Sequence, residues 1–177
     1  AIPSYTVRSY ADFSAQTFGE HVSSFPIEHR GRTFYYGSER NARAANELLD
    51  AAERVSQPGD RVFVGTKDLR KTPLSEAYFY YLLPQLEVAT YYIEMDPGVA
   101  NAPDSGLAND VRSADILILS SAWEDWDEPN DSRKLGSAKP NRVVRDKFCL
   151  VDRFGAHYWL YERCGGRADR PTSEASR

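Results

Sequence analysis

No continuous apolar stretch reaches about 18 residues, the length a helix needs to cross the hydrocarbon of a bilayer, so nothing in the chain reads as a membrane-spanning helix. A Lys/Arg cluster is also missing. The 22 basic residues stand against 26 acidic ones for a formal charge of −4, which argues against nucleic acid and against an anionic membrane surface as partners. Neither Gly-x-x-x-x-Gly-Lys-Ser/Thr nor Gly-x-Gly-x-x-Gly occurs, which removes the phosphate-binding loop and the dinucleotide fingerprint. Without a Gly-x-Ser-x-Gly elbow, and with His21, His29 and His157 as the only histidines, no nucleophilic constellation is visible. No signal peptide stands at the start, and the first residue is Ala rather than Met, which suits a mature or excised fragment as well as a tag remnant. Two cysteines, Cys149 and Cys164, lack the spacing of a zinc or redox site. Both fall in one expected hairpin. A disulfide, which would imply an oxidising compartment, and two separate buried thiols are both consistent with that placement.

What is present is an ordinary globular composition, 41% hydrophobic and 27% charged over 177 residues, enough for one domain with a proper core. Three short apolar runs, at residues 62–64, 88–93 and 116–119, are β-branched or aromatic, bounded by Pro, Gly, Asp or Ser, and separated by helix-like segments. Such runs read as buried strands, and their alternation with helices predicts a parallel sheet with right-handed crossovers.

Around that stretch the rest can be placed. Residues 1–31 show no sustained period and are expected to be an irregular leading segment that packs its aromatic residues on the domain. Arg32 to Tyr36 reads as a strand. Ser38 is a good N-cap for a helix whose apolar face is Ala42, Ala45, Leu48, Leu49, Ala52 and Val55. Thr72 followed by Pro73 predicts a second helix start, running to Pro84. A short helix is expected at about 107–113, a polar loop from Ser120 to Asn141, and an antiparallel hairpin around residues 153–156. The expected fold is α/β: a three-layer, Rossmann-like, mostly parallel sheet of about four strands over 32–164, closed by that hairpin, with 165–177 a disordered tail.

In open α/β sheets ligands bind beyond the carboxyl ends of the strands. Those ends carry Lys67, Asp68 and Arg70, then Glu94 and Asp96, then the loop that opens with Trp123. The basic residues there, with Lys71, can hold a phosphate near a helix N-terminus. In the acidic loop, Asp125, Asp127 and Asp131 are hard oxygen ligands of the kind a divalent cation takes, and no other cofactor is indicated. Asp125-Trp126-Asp127 formally matches the Asp-x-Asp that one class of glycosyltransferases uses to hold a metal and a nucleotide-sugar, although the chain is short for such an enzyme. Trp123 and Trp126 are candidate stacking platforms for a sugar. The alternative is a solvated acidic loop with its tryptophans folded inward.

Several segments stand out together: Gly-Asp-Arg-Val-Phe-Val-Gly-Thr-Lys-Asp-Leu-Arg-Lys-Thr (59–72), Tyr-Phe-Tyr-Tyr-Leu-Leu-Pro (78–84), Ala-Thr-Tyr-Tyr-Ile-Glu-Met-Asp-Pro-Gly (89–98), Ser-Ala-Asp-Ile-Leu-Ile-Leu (113–119) and Glu-Pro-Asn (128–130). This set resembles the soluble C-terminal region of actinobacterial polytopic membrane glycosyltransferases that use lipid-phosphate-linked sugars, and of their uncharacterised relatives. The resemblance covers about 60% of the chain and carries no catalytic signature. It implies a non-catalytic accessory domain on the extracytoplasmic side of the cell membrane, attached to a membrane-embedded body and binding a cell-wall glycan or a partner at the strand-end rim. That location agrees with a Cys149–Cys164 bridge. The competing expectation is a free-standing, metal-dependent enzyme acting on a nucleotide-sugar or phosphate ester through residues 123–132.

Overall fold

The computed structural model describes residues 4–125 and 134–165 of the chain. In order, the elements are helix α1 (Ser4–Thr17), strands β1 (Phe25–His29) and β2 (Arg32–Tyr36), helix α2 (Glu39–Val55), strand β3 (Arg61–Thr66), helix α3 (Tyr78–Leu82), strand β4 (Glu87–Val88), helix α4 (Leu107–Ser113), strand β5 (Ile116–Ser120), helix α5 (Lys139–Lys147), and strands β6 (Phe148–Phe154) and β7 (Tyr158–Arg163). They build a mixed α/β fold with a five-stranded sheet ordered β4-β3-β5-β7-β6 and a separate two-stranded sheet of β1 and β2. Strands β4, β3 and β5 are parallel, while β7 and β6 are added antiparallel.

Period-2 alternation divides the core in two. Val62, Val64, Ile116 and Ile118 point into one cluster with Leu48 and Leu49 of α2, whereas Phe63, Leu117 and Leu119 enter a second with Leu107 and Val111 of α4 and Val143 of α5. Burial on both faces is why β3 and β5 read as unbroken apolar runs. Helix α2 follows its expected pattern: the Ser38 hydroxyl accepts the Asn41 amide at 3.4 Å, the apolar positions from Ala42 to Ala52 are buried, and Val55 is half-buried.

The arrangement is not a clear Rossmann-like three-layer fold. Strand β2 does not join the main sheet; it folds back on β1, register His29 opposite Arg32, through a two-residue turn. Arg30 and Gly31 both have positive φ, 50° and 75°, the geometry that matches the twist of paired strands. Residues 4–29 therefore carry a helix and a strand where an irregular segment is expected, and Tyr10, Phe13 and Phe18 are exposed rather than packed.

The run 88–93 also departs from expectation, since only Glu87 and Val88 pair with β3. Beyond them the Thr90 hydroxyl donates to the Asp110 carboxylate at 2.8 Å and accepts the Tyr92 amide at 3.0 Å, curling the backbone off the sheet. The Tyr80 hydroxyl meets the β3 edge that this leaves open, accepting the Val64 amide at 2.9 Å. Thr72 is buried with its hydroxyl on the Asp96 carbonyl at 3.3 Å instead of capping a helix, and α3 is only the five residues from Tyr78. Helix α5 occupies part of the expected polar loop; Pro140 in its first turn is the signal that identifies it.

Candidate functional site

The strand-end rim is built largely to hold itself together. The Lys67 amide donates to the Ser120 carbonyl at 2.8 Å, and its ammonium donates to the Tyr161 hydroxyl while lying 4.9 Å from the ring centroids of Trp159 and Tyr161. Asp68 takes the Arg70 guanidinium at 2.7 Å and the Asn141 amide at 2.6 Å. These bonds, that from Arg70 foremost, hold its carboxyl at about 2, below the usual carboxylate range. Its own backbone amide donates to the Glu124 carboxylate at 2.5 Å. Asn141 Oδ1 and Nδ2 thus bind the Leu69 amide and the Asp68 carboxylate together, which fixes the loop after β3 onto α5.

Two further rim residues expected to bind ligand, Glu94 and Asp96, belong to the segment after β4. Glu94 and Asp96 are exposed and take part through backbone carbonyls, Glu94 accepting the Ser75 amide at 3.1 Å and Asp96 the Thr72 hydroxyl. Asp125 is exposed, and Trp126, Asp127 and Asp131, with which it is expected to act, lie outside the described residues. Among the described residues no group of three or more His, Cys, Asp or Glu side chains is placed to hold a metal. Cys149 and Cys164 are joined in a disulfide, Cα atoms 5.0 Å apart, across the open end of the β6–β7 hairpin.

Trp123 belongs to a different feature. It leaves β5 at the carboxyl end and forms a wall shared by two adjoining cavities, together with Phe34 and Tyr36, which alternation places on the same face of β2. The larger, of about 750 Å³, lies between α1, β2 and the segment after β5; Gln16, Ser38, Asn41 and His157 supply its polar groups. Close approach of α1's carboxyl end to β2 needs Gly19: φ there is +75°, and an added Cβ would stand 2.3 Å from the Tyr35 ring. His157 Nδ1 lies 3.1 Å from the Ser121 hydroxyl, and among the described residues no carboxylate is recorded against the imidazole.

Under the shared wall sits Glu76, 3% exposed. Its Oε1 accepts from the Tyr36 hydroxyl at 3.2 Å and the Tyr158 hydroxyl at 3.5 Å, and the Tyr158 hydroxyl lies 3.1 Å from that of Tyr78. Burial pushes the Glu76 carboxyl up to about 7; hydrogen bonds from Tyr36, Trp123 and Tyr158 act the other way and are outweighed. The same burial, followed by the charge on Glu76, pushes Tyr36 up to about 12 and raises Tyr78 and Tyr158 strongly. The tyrosines are therefore fixed as donors, and Glu76 is the group that changes charge near neutral pH. Comparison with known protein families, curated proteins and solved structures gave no match.

Sequence reasoning singled out Trp123 but not Glu76, Tyr36 or Tyr158, with which it is grouped here. The available signal was a carboxylate embedded in an aromatic run, Leu74-Ser-Glu76-Ala-Tyr78-Phe-Tyr-Tyr81. That run reads first as helix, and its partners are 40 and 82 residues away.

Proposed function

We propose that this chain is a non-catalytic, carbohydrate-binding accessory domain of an extracytoplasmic, glycosyltransferase-like membrane protein. Its ligand is a glycan held in the cleft beside Trp123. The observation that carries the reading is the cleft itself: Tyr36 and Trp123 line it together with Gln16, Ser38, Asn41 and His157. A pyranose has an apolar C–H face that stacks on an aromatic ring and a rim of hydroxyls that amides, hydroxyls and imidazoles bind. The Tyr36 hydroxyl donates to Glu76 Oε1 at 3.2 Å, which holds that ring in place. This moves the expected site from Lys67, Asp68 and Arg70, whose polar groups are engaged internally, to the neighbouring aromatic cleft. The Cys149–Cys164 disulfide supports an oxidising location.

Titration calorimetry with neutral cell-wall-type oligosaccharides, in the presence of a chelator, tests the reading. Binding that Trp123→Ala weakens about tenfold supports it. Failure of every oligosaccharide to bind would refute it, and manganese-dependent affinity for a nucleotide-sugar, lost in Asp127→Ala, would establish the metal-dependent enzyme instead.

A further inference from the structure

We propose that the second cavity, on the α3 side of Trp123, binds an alkylammonium group of a small organic ligand, with aromatic rings as its walls and the Glu76 carboxylate as its counter-charge. The cavity, about 420 Å³, has Phe34, Tyr36, Tyr78, Tyr81 and Trp123 in its lining, and Glu76 is its one acidic residue, with no Lys or Arg among the lining residues. Phe34 stacks on Tyr78, centroids 4.6 Å apart, and Tyr36, Tyr81 and Trp123 complete the aromatic part of the lining. A ring face carries negative quadrupolar potential and attracts a weakly hydrated cation, and a carboxylate beneath the rings adds a full charge.

The counter-charge is also what Glu76 lacks. Every group recorded against it is neutral at pH 7: Tyr36 from β2, Tyr78 from α3, Tyr158 from β7, and Trp123 from the segment after β5. Among the described residues no Lys, Arg or His forms an ion pair with it. An unpaired buried carboxylate is costly, and a bound cation removes that cost. The wall already attracts positive charge: the Arg32 guanidinium lies 5.0 Å from the Tyr81 centroid and donates to the Tyr81 carbonyl at 2.6 Å. Arg32 thus sets a positive charge against Tyr81, one of the lining residues.

This site does not depend on carbohydrate binding in the larger cleft. The test is calorimetric titration of the whole chain with choline and with its neutral isostere, in which a quaternary carbon replaces the nitrogen, at about pH 8 where Glu76 is ionised. Choline is expected to bind at least about tenfold more tightly than the isostere. Glu76→Gln should abolish that preference, because the amide oxygen still accepts from the tyrosines but carries no charge. Tyr81→Leu, at a side chain that is 49% exposed and outside the core, should weaken choline binding, and Arg32→Gln should strengthen it. Equal binding of the two compounds, no binding of either at millimolar concentration, or a preference that survives Glu76→Gln would overturn the proposal. A choline preference without any oligosaccharide binding would sink the carbohydrate reading alone.

Discussion

Glu76 makes stability depend on pH in a window that few other groups share. Its carboxyl titrates at about 7 in the folded chain against an ordinary 4.5. Because the folded-state value is raised, the native chain binds more protons than the unfolded one between those limits. The contribution is fully present below about pH 4.5 and is lost as the pH rises through about 7. At about 1.4 kcal/mol per pKa unit the loss is about 3 kcal/mol, a large share of the net stability of a single domain. Glu76→Gln keeps an oxygen for Tyr36 and Tyr158 and removes the charge. Urea unfolding of both proteins between about pH 4.5 and 8 isolates the effect, since histidines and other carboxylates are common to both and cancel in the difference. The stability of the wild type relative to the variant should fall by about 3 kcal/mol across the window. Parallel pH profiles would refute the account, showing that Glu76 is solvated or paired with a cation.

Asp68 behaves in the opposite sense: its folded-state value is lowered, so its contribution is present above the ordinary 3.8 and lost as the pH falls towards about 2. Asp68→Asn should destabilise the domain by about 1–2 kcal/mol at neutral pH, measured by urea unfolding, with a smaller difference in acid; equal midpoints at neutral pH would show that the Arg70–Asp68–Asn141 set contributes nothing. The Cys149–Cys164 link closes a separation of 15 residues, and the paired Cys→Ser variant should lose about 3 kcal/mol by the chain-entropy account, read as a lower Tm that reductant does not change further. A variant as stable as the wild type would mean that strand pairing in the β6–β7 hairpin already supplies the constraint.

The elements most legible in the sequence are those whose local pattern and tertiary burial agree. Ser38 and the apolar face from Ala42 to Val55 specify α2; the short aliphatic runs of β3 and β5 specify strands buried on both faces; residues 148–161 specify a hairpin. Misread segments are those where a local signal lost to a long-range partner. Arg32–Tyr36 has strand composition, but the Arg30-Gly31 turn decides that it pairs backwards with β1. Residues 89–93 are β-rich in composition, yet the Thr90–Asp110 bond turns them off the edge of β3. Of the residues grouped around Glu76, the sequence singled out Trp123 alone. Glu76 acquires its character from tyrosines on β2 and β7 that no local period connects to it.

The most direct test of the central claim is a titration of isotopically labelled protein with neutral cell-wall-type oligosaccharides, with chelator present, followed by NMR. The account expects saturable shifts confined to Gln16, Tyr36, Asn41, Trp123 and His157, and their disappearance in Trp123→Ala. Shifts centred instead on Lys67, Asp68 and Arg70, or a spectrum unchanged by every oligosaccharide, would contradict it.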